Sequence, residues 1–282
     1  MTTWVKITAF LNQVPEDWSI FGEAFERFGC PSSIQFDRPP SISGYLVEVP
    51  GVETQTDALK SELLRLAVER VEIEVVPDED WSELWKAHFK PIKVGKNVMI
   101  RPTWEAAPEI GDGIEIVLDP GQAFGTGDHP TTRMCLELLE AEIESHRPTA
   151  VFDLGTGSGI LAILAKRMGV PEVFATDIDP ISVEVARANA ALNQVEFQVE
   201  VANGLDSVPA RTWPLVISNI ISATLIRFAP EMALRVEPGG RWIVSGVIRD
   251  NWDGVRLAAE NVGFQLITHQ TEGDWVAAVF TR

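Results

Sequence analysis

Cysteine and histidine are scarce in this chain. The two cysteines, Cys30 and Cys135, lie far apart and share no metal-binding spacing, so we expect two buried thiols. The histidines number four, and they are scattered: His88, His129, His146 and His269. Neither residue type follows the ligand spacing of a zinc site. We therefore predict neither a disulfide framework nor a metal site.

Long apolar runs and basic residues are also in short supply. No stretch of about 20 apolar residues occurs, and the opening MTTWVKITAF has no basic segment followed by an apolar run. We therefore expect a cytoplasmic protein with no membrane span. Lysine and arginine total 23 against 41 acidic residues, which gives a net charge of −18. Because nucleic-acid phosphates are bound by a basic face, we expect no direct nucleic-acid binding and favour a cationic partner.

The length and the hydrophobic content of the chain allow one large domain or two of ordinary size, since 282 residues with 45% hydrophobic content can bury more than one core. Residues 1–76 read as strand, helix, strand, strand, helix, strand, the order of a small α+β ferredoxin-like domain. DWSIFGEAFERFG and TQTDALKSELLRLAVER carry apolar residues at helical spacing. This segment contains no glycine loop, histidine or clustered nucleophile. We expect it to bind or position a substrate.

Residues 77–118 form a predicted connector with a short amphipathic helix and strands. The helix is centred on four apolar residues and stopped by Pro91: Trp81, Leu84, Trp85 and Phe89. From residue 119 to 282 strands alternate with helices, which predicts a mostly parallel sheet covered on both faces. GFQLITHQ and DWVAAVFTR at the end of the chain predict an antiparallel hairpin at the sheet edge. The fold class is α/β, with a Rossmann-like second domain.

Two glycine-rich loops raise the question of which one holds a ligand. DPGQAFGTGDHPTT precedes a predicted helix, whose N-terminus favours a negative group. VFDLGTGSGILAI is the better formed turn, but Ile160 stands where a dinucleotide fingerprint needs its third glycine. NAD is therefore the weaker interpretation. Asp153 and Asp177, near the ends of successive strands, favour a nucleoside without a pyrophosphate, namely S-adenosylmethionine; a turn with no ligand is the alternative.

Four segments resemble the bacterial methyltransferases that modify large-subunit ribosomal protein L11. They are DPGQAFGTGDHPTTRMCLELL, VFDLGTGSGILAI, TDIDPISVEVARANAALN and ISNIISATLIRFAPEMALRVEPGGRWIVSGV. The resemblance implies a class I methyltransferase domain preceded by a substrate-recruiting domain, with S-adenosylmethionine as cofactor. It implies methylation of lysine side-chain amines and of an N-terminal amine. The first loop would close over the cofactor and the second would form its floor.

The resemblance places the family's cofactor contacts on four residues that match here: Thr132, Gly155, Asp177 and Asn219. Gly157, in the same glycine turn as Gly155, is also assigned to the cofactor site. Asp128 departs from the family pattern, where threonine or histidine is common. Considered without the resemblance, Thr132 is also explained as a helix cap and Asn219 as a strand-end turn residue.

The residues after Asn219 bear on the methyl acceptor. The sequence Asn-Ile-Ile-Ser lacks the two prolines and aromatic ring that clamp a planar acceptor, which favours a flexible alkyl amine. We expect the Asn219 side-chain oxygen and the Ile220 carbonyl to orient that amine and Phe124 to shield it, although Phe124 is equally explained as a core residue. The alternatives are a methyltransferase for another protein lysine or a small amine, and a non-catalytic module that binds S-adenosylmethionine.

Overall fold

A computed structural model describes residues 3–30, 33–77, 90–107, 110–111, 113–118, 125, 127–206 and 208–282, apart from the side chains at positions 37 and 77. The chain divides into two compact units, Met1–His88 and Phe89–Arg282. The predicted connector helix around Trp81, Leu84, Trp85 and Phe89 lies outside the described residues. Of the helices that are described, none has the length and apolar content needed to cross a membrane.

The first unit is an antiparallel four-stranded sheet with two helices. Its elements are β1 (Thr3–Phe10), α1 (Ser19–Arg27), β2 (Ser33–Asp37), β3 (Pro40–Val47), α2 (Val52–Arg65) and β4 (Arg70–Pro77). The strand order β2-β3-β1-β4 confirms the predicted ferredoxin-like arrangement. Phe25 of α1 packs so closely on β3 that a Cβ at Gly44 would clash with its ring.

The second unit begins with a small sheet. It consists of β5 (Ile92–Val94), β6 (Val98–Pro102) and β7 (Ile114–Leu118), in the order β5-β6-β7. Glu140 holds the turn between β5 and β6, because its buried carboxylate accepts the backbone N–H groups of Lys96 and Asn97 at 2.9 and 3.0 Å.

The main body of the second unit is a seven-stranded sheet in the order β10-β9-β8-β11-β12-β14-β13. The neighbouring pairs from β10 to β12 are parallel, and β13 and β14 form the predicted antiparallel edge hairpin. Its elements are α3 (Pro130–His146), β8 (Ala150–Leu154), α4 (Ile160–Arg167), β9 (Glu172–Asp177), α5 (Pro180–Leu192), β10 (Gln198–Val201), β11 (Trp213–Asn219), α6 (Ser222–Arg235), β12 (Val236–Ile248), a 3₁₀ turn (Arg249–Asn251), α7 (Trp252–Asn261), β13 (Gln265–Glu272) and β14 (Trp275–Thr281). This is the predicted Rossmann-like sheet.

Two details differ from the sequence-based expectation. The EPGG segment, whose residues are typical of a turn, lies inside β12, which pairs with β11 from Val236 onward and contains a register shift. The edge hairpin turns at Gly273 and Asp274, so β13 ends two residues beyond the predicted strand GFQLITHQ. Gly239 adopts a φ of 78° that other residues rarely take, which accommodates the irregular pairing with β11 between Val236 and Arg241.

Both cysteines are buried free thiols, as expected. Burial raises the pKa of Cys30 to about 12, and it raises the pKa of Cys135 well above its usual range. Neither thiol therefore forms the reactive thiolate near neutral pH.

Candidate functional site

The predicted site residues meet at the carboxyl edge of the seven-stranded sheet. The neighbouring strands β9, β8 and β11 end at Asp177, Leu154 and Asn219. Strand β8 lies near the centre of the sheet. From β8 the chain continues to β9 and β10 on one side, and it then returns to β11 on the other side of β8, so the strand order reverses between β8 and β11. Open α/β sheets bind ligands at such a switch point. The topology therefore brings the glycine turn, Asp177 and Asn219 to one side of the molecule.

The glycine turn after β8 is tied to the end of β9. The N–H groups of Gly155 and Thr156 donate to the Thr176 carbonyl at 2.8 and 3.0 Å. Asp177 accepts the Gly157 N–H through Oδ2 at 2.8 Å and the Asp179 N–H through Oδ1 at 3.0 Å. Each carboxylate oxygen retains a lone pair for a further donor.

Gly155 brings the glycine turn against the residue after Asn219. Its φ is 77°, and a Cβ at this position would clash with Cγ2 of Ile220. Glycine is therefore required here both by the backbone conformation and by the close approach. Ile220 is itself fixed, since its N–H donates to the Ser245 carbonyl at 3.1 Å.

Asp153 lies beneath the turn and is fully buried. Its Oδ2 accepts the Thr156 hydroxyl at 2.7 Å, and Oδ1 has no hydrogen-bond partner among the described residues. Burial raises the pKa of Asp153 from 3.8 to about 7; the charge of Asp177 adds to the rise and the bond from Thr156 opposes it. Asp153 thus supports the turn from below, whereas the half-buried Asp177 is open to a ligand.

Thr132 and Asn219 meet across α3 and β11. Thr132 lies in the first turn of α3 and is fully buried. The Nδ2 group of Asn219 donates to its hydroxyl at 3.5 Å, a long bond. The Oδ1 atom of Asn219 is buried and has no hydrogen-bond partner in the described parts of the chain. A buried acceptor of this kind is costly unless a ligand supplies its donor.

The start of α3 is held by contacts that the sequence did not reveal. His129 is the N-cap: its Nδ1 accepts the Thr131 N–H at 3.3 Å, and its ring packs edge-on against Trp275 at 4.9 Å. Arg133 bonds to the Asp128 carbonyl and to Glu272 at the end of β13. The sequence offered Thr132 as a cap, but Thr132 is the third residue of the helix, and the helix start is signalled by Pro130 at the favoured first helical position.

The first glycine-rich loop touches the second. The Ser158 hydroxyl donates to the Gly125 carbonyl at 2.6 Å, and Gly127 packs against Ile100 and Ile160. Phe124, the predicted shield of the acceptor, lies outside the described residues.

Two apolar side chains beside Asp177 were missed. Ile178 and Ile181 are 67% and 49% exposed, although both are large and hydrophobic. An exposed apolar pair next to a carboxylate at the sheet edge suits the flat face of a nucleoside base. The sequence TDIDPI offers a signal, because Ile178 and Ile181 flank the cap and proline that start α5.

Two asparagines of the ANAALN segment were also missed. Asn189 and Asn193 are buried and donate to backbone carbonyls of the glycine turn and of β7. Asparagine is a weak helix former, so two of them four residues apart near a helix end were the available signal.

Comparisons with known proteins agree with this geometry. A family model described as "Ribosomal protein L11 methyltransferase (PrmA)" matches residues 8–282. A Ribosomal protein L11 methyltransferase from Pelobacter propionicus is 39% identical over 308 residues, covering 100% of this chain and 98% of the relative. One from Geobacter sulfurreducens is 45% identical over 209 residues, covering 74% of this chain and 68% of the relative. The crystal structure of a ribosomal protein L11 methylase from Lactobacillus delbrueckii subsp. bulgaricus superposes with a TM-score of 0.64 at 31% identity, covering 69% of this chain and 98% of the other. The chain therefore belongs to the ribosomal protein L11 methyltransferase family.

Proposed function

We propose that this protein transfers methyl groups from S-adenosylmethionine to ribosomal protein L11, on lysine side-chain amines and on the N-terminal amine. One observation carries the proposal: the buried Oδ1 of Asn219 lacks a donor among the described residues and lies at the carboxyl edge of the sheet, beside Thr132. An amine brought to this edge supplies N–H donors for that oxygen. Family membership identifies the protein that carries the amine.

The residues at the sheet edge fit S-adenosylmethionine. Asp177 offers free lone pairs to ribose hydroxyl groups, and Ile178 and Ile181 offer an apolar surface to adenine. Gly155 and Gly157 have φ values of 77° and 53° and carry no side chain, so a ligand can approach the backbone closely. We assign cofactor binding to Asp177, Gly155 and Gly157, and also to Thr132 and Asn219.

The chain's own part in the reaction is to orient and desolvate the amine. When bound, S-adenosylmethionine supplies an electrophilic methyl group on a sulfonium centre. We assign orientation of the amine to the Asn219 side-chain oxygen and the Ile220 carbonyl, because two acceptors fix the direction of the nitrogen lone pair. An unperturbed lysine has a pKa of about 10.4, and burial against apolar groups favours its neutral, nucleophilic form. We assign shielding of the amine to Phe124.

Labelling tests the proposal directly. Full-length protein, methyl-labelled S-adenosylmethionine and a mixture of purified ribosomal proteins should place label in L11, on lysines and on the N-terminus, as read by mass spectrometry. Asn219→Ala should lose most of this activity, whereas Asn261→Ala, which alters an exposed asparagine at the end of α7, should retain it. Label in another protein or in a small amine, with L11 unmodified, would move the activity to an alternative acceptor.

The requirement for a neutral amine has its own test. Single-turnover rates on an L11 lysine should rise with pH between about 6 and 9, because the neutral fraction grows roughly ten-fold per pH unit. A flat profile, with chemistry shown to be rate-limiting, would exclude a lysine that loses its proton on the enzyme.

We propose that the first unit recruits L11, and that the protein acts in the cytoplasm. Residues 1–76 contain six basic and twelve acidic residues, a net charge of −6, which would attract a basic ribosomal protein. A chain that starts at Asp78 should bind S-adenosylmethionine normally but methylate L11 far more slowly. Adding the first unit as a separate chain should restore little activity. A separate chain lacks the high effective concentration that the covalent link to the second unit provides. Full activity of the truncated chain would place recognition in the second unit.

A further inference from the structure

A chain of buried hydrogen bonds joins α5 to the strand that precedes residues 119–124 and to Gly125, which follows them. The side chain of Asn193 pairs with both backbone groups of Val117: Oδ1 accepts the Val117 N–H at 2.8 Å, and Nδ2 donates to the Val117 carbonyl at 2.6 Å. Asn193 is 4% exposed. A primary amide used in this way imitates a neighbouring β-strand at the edge of β7.

The same helix reaches the glycine turn four residues earlier. Nδ2 of Asn189 donates to the Ser158 carbonyl at 2.8 Å, and Nδ2 of Asn193 also donates to the Asn189 carbonyl at 2.7 Å. The Ser158 hydroxyl donates to the Gly125 carbonyl at 2.6 Å. The bonds therefore run in series from Val117 through Asn193, Asn189 and Ser158 to Gly125; we call these five residues the α5 clasp.

The position of the α5 clasp relates it to the cofactor site. Helix α5 begins at Pro180, with Asp179 as its cap, directly after Asp177. The helix also lies against the glycine turn, since a Cβ at Gly159 would come within 3.0 Å of the Cβ of Ala186. One helix thus starts beside the proposed ribose-binding carboxylate, packs on the glycine turn and bonds to β7.

We propose that Asn193, Asn189 and Ser158 are positioning residues for methyl transfer: they fix Val117 of β7 and Gly125 relative to the glycine turn of the cofactor site. The inference rests on the proposed function. Buried polar side chains that bond to backbone groups of distant segments specify geometry more than they add stability, because each bond replaces one made with water in the unfolded chain. Val117 and Asn193 are 76 residues apart, so this pairing organises distant parts of the chain.

Two variants cut the clasp at different points. Asn193→Asp keeps the acceptor for the Val117 N–H but places a carboxylate oxygen against the Val117 carbonyl, so it releases the flank before residue 119. Ser158→Ala removes only the donor to Gly125 and releases the flank after residue 124. Asn261→Ala is the matched control, because Asn261 also lies at the C-terminal end of a helix but is exposed.

Hydrogen exchange tests the structural half without any catalytic readout. Asn193→Asp should speed exchange in residues 114–118, and Ser158→Ala should speed it in residues 125–128. Bound S-adenosylhomocysteine should slow exchange in both segments less in the variants than in the wild type. Exchange that matches the wild type in both segments would overturn the proposal, even if the melting temperature falls.

Kinetics test the functional half. Each variant should lower kcat for L11 methylation about ten-fold, because misplaced reacting groups slow the chemical step, with KM for L11 changed less than about three-fold. Because both cuts interrupt the same series of bonds, the double variant should lose about ten- to twenty-fold, not the hundred-fold of two independent sites. A multiplicative loss would overturn the clasp, whereas a wild-type enzyme without L11 activity would overturn the proposed function instead.

Discussion

The two faces of the seven-stranded sheet differ in what they bury. Successive strand residues point to opposite faces, so Phe152 and Asp153 belong to different layers. The Phe152 face is a hydrophobic core built with α6 and α7, in which the rings of Phe152, Phe174 and Trp213 lie within 6 Å of one another. The opposite face carries polar residues near the carboxyl edge. The strand register places Asp153, Asp177, Asn219 and Ser245 on this same face.

This difference separates two tasks. The apolar face stabilises the fold through area removed from water and close packing. The polar face keeps a carboxyl oxygen of Asp153 and an amide oxygen of Asn219 buried without a partner among the described residues. The apolar face also buries two such atoms, Oγ1 of Thr176 and Nε1 of Trp213, but it holds no buried carboxyl like that of Asp153 in the described parts of the chain. We therefore expect substitutions on the apolar face to change the unfolding free energy, and those on the polar face to change ligand binding and pH dependence.

The largest expected effect is on the apolar face. Phe152→Ala should lower the free energy of unfolding by ~3–5 kcal/mol, because it opens a cavity beneath two aromatic neighbours. Leu234→Ala is the control, since Leu234 on α6 is 70% exposed and its truncation should cost less than ~0.5 kcal/mol. Guanidinium denaturation measures both. Equal effects would mean that this face is not the main core.

Asp177→Ala should have the largest effect on binding. It removes the proposed acceptor of the ribose hydroxyl groups and should weaken S-adenosylmethionine binding by ~1.5–3 kcal/mol while leaving the fold intact. Because the carboxylate also accepts the N–H groups of Gly157 and Asp179, the unfolding free energy should fall as well, by ~1–3 kcal/mol. Asp253→Ala is the control, because its side chain is 80% exposed on α7. Isothermal titration calorimetry that finds wild-type affinity for Asp177→Ala would remove Asp177 from the ribose site.

Strand ends and glycine spacing were enough to predict the glycine turn and Asp177 at this edge of the sheet, whereas Thr132 and Asn219 were assigned through the family resemblance. Asp177 and Asn219 each close a recognisable strand, and parallel strands end at one edge, so their proximity follows from local patterns. The pairing of Asn193 with Val117 could not be predicted, because the two residues are 76 positions apart and the spacing of the asparagines signals a polar role without naming the partner. The lack of a hydrogen-bond partner for Asp153 Oδ1 could not be predicted either, because it depends on which polar groups of neighbouring elements come within bonding distance in the folded chain.

The polar face should also make stability depend on pH. The folded protein holds the Asp153 proton more tightly than the unfolded chain does, because its pKa rises from 3.8 to about 7. The unfolding free energy should therefore fall as pH rises from about 4 to about 7, and this group should remove ~2 kcal/mol between about pH 5.5 and pH 8.5. Asp153→Asn cannot ionise and should lack this component. Denaturation at both pH values, with Asp253→Asn as control, would contradict the assignment if Asp153→Asn and wild type lost the same amount.

The smallest expected effect concerns the contact between α3 and β11. The bond from Asn219 Nδ2 to Thr132 Oγ1 is 3.5 Å long, so it contributes little by itself, although both groups are buried or partly buried. Thr132→Val keeps the shape of the side chain and removes the acceptor, which should weaken S-adenosylmethionine binding about two- to five-fold, or ~0.5–1 kcal/mol. Thr131→Val is the neighbouring control, because Thr131 serves the His129 cap and not Asn219. If Thr132→Val costs as much as Asp177→Ala, then the Thr132 hydroxyl bonds directly to the ligand and its contact with Asn219 tightens when the site is filled. If it costs nothing, Thr132 only fills space under α3, and the polar face reaches the ligand through Asp177 and Asn219 alone.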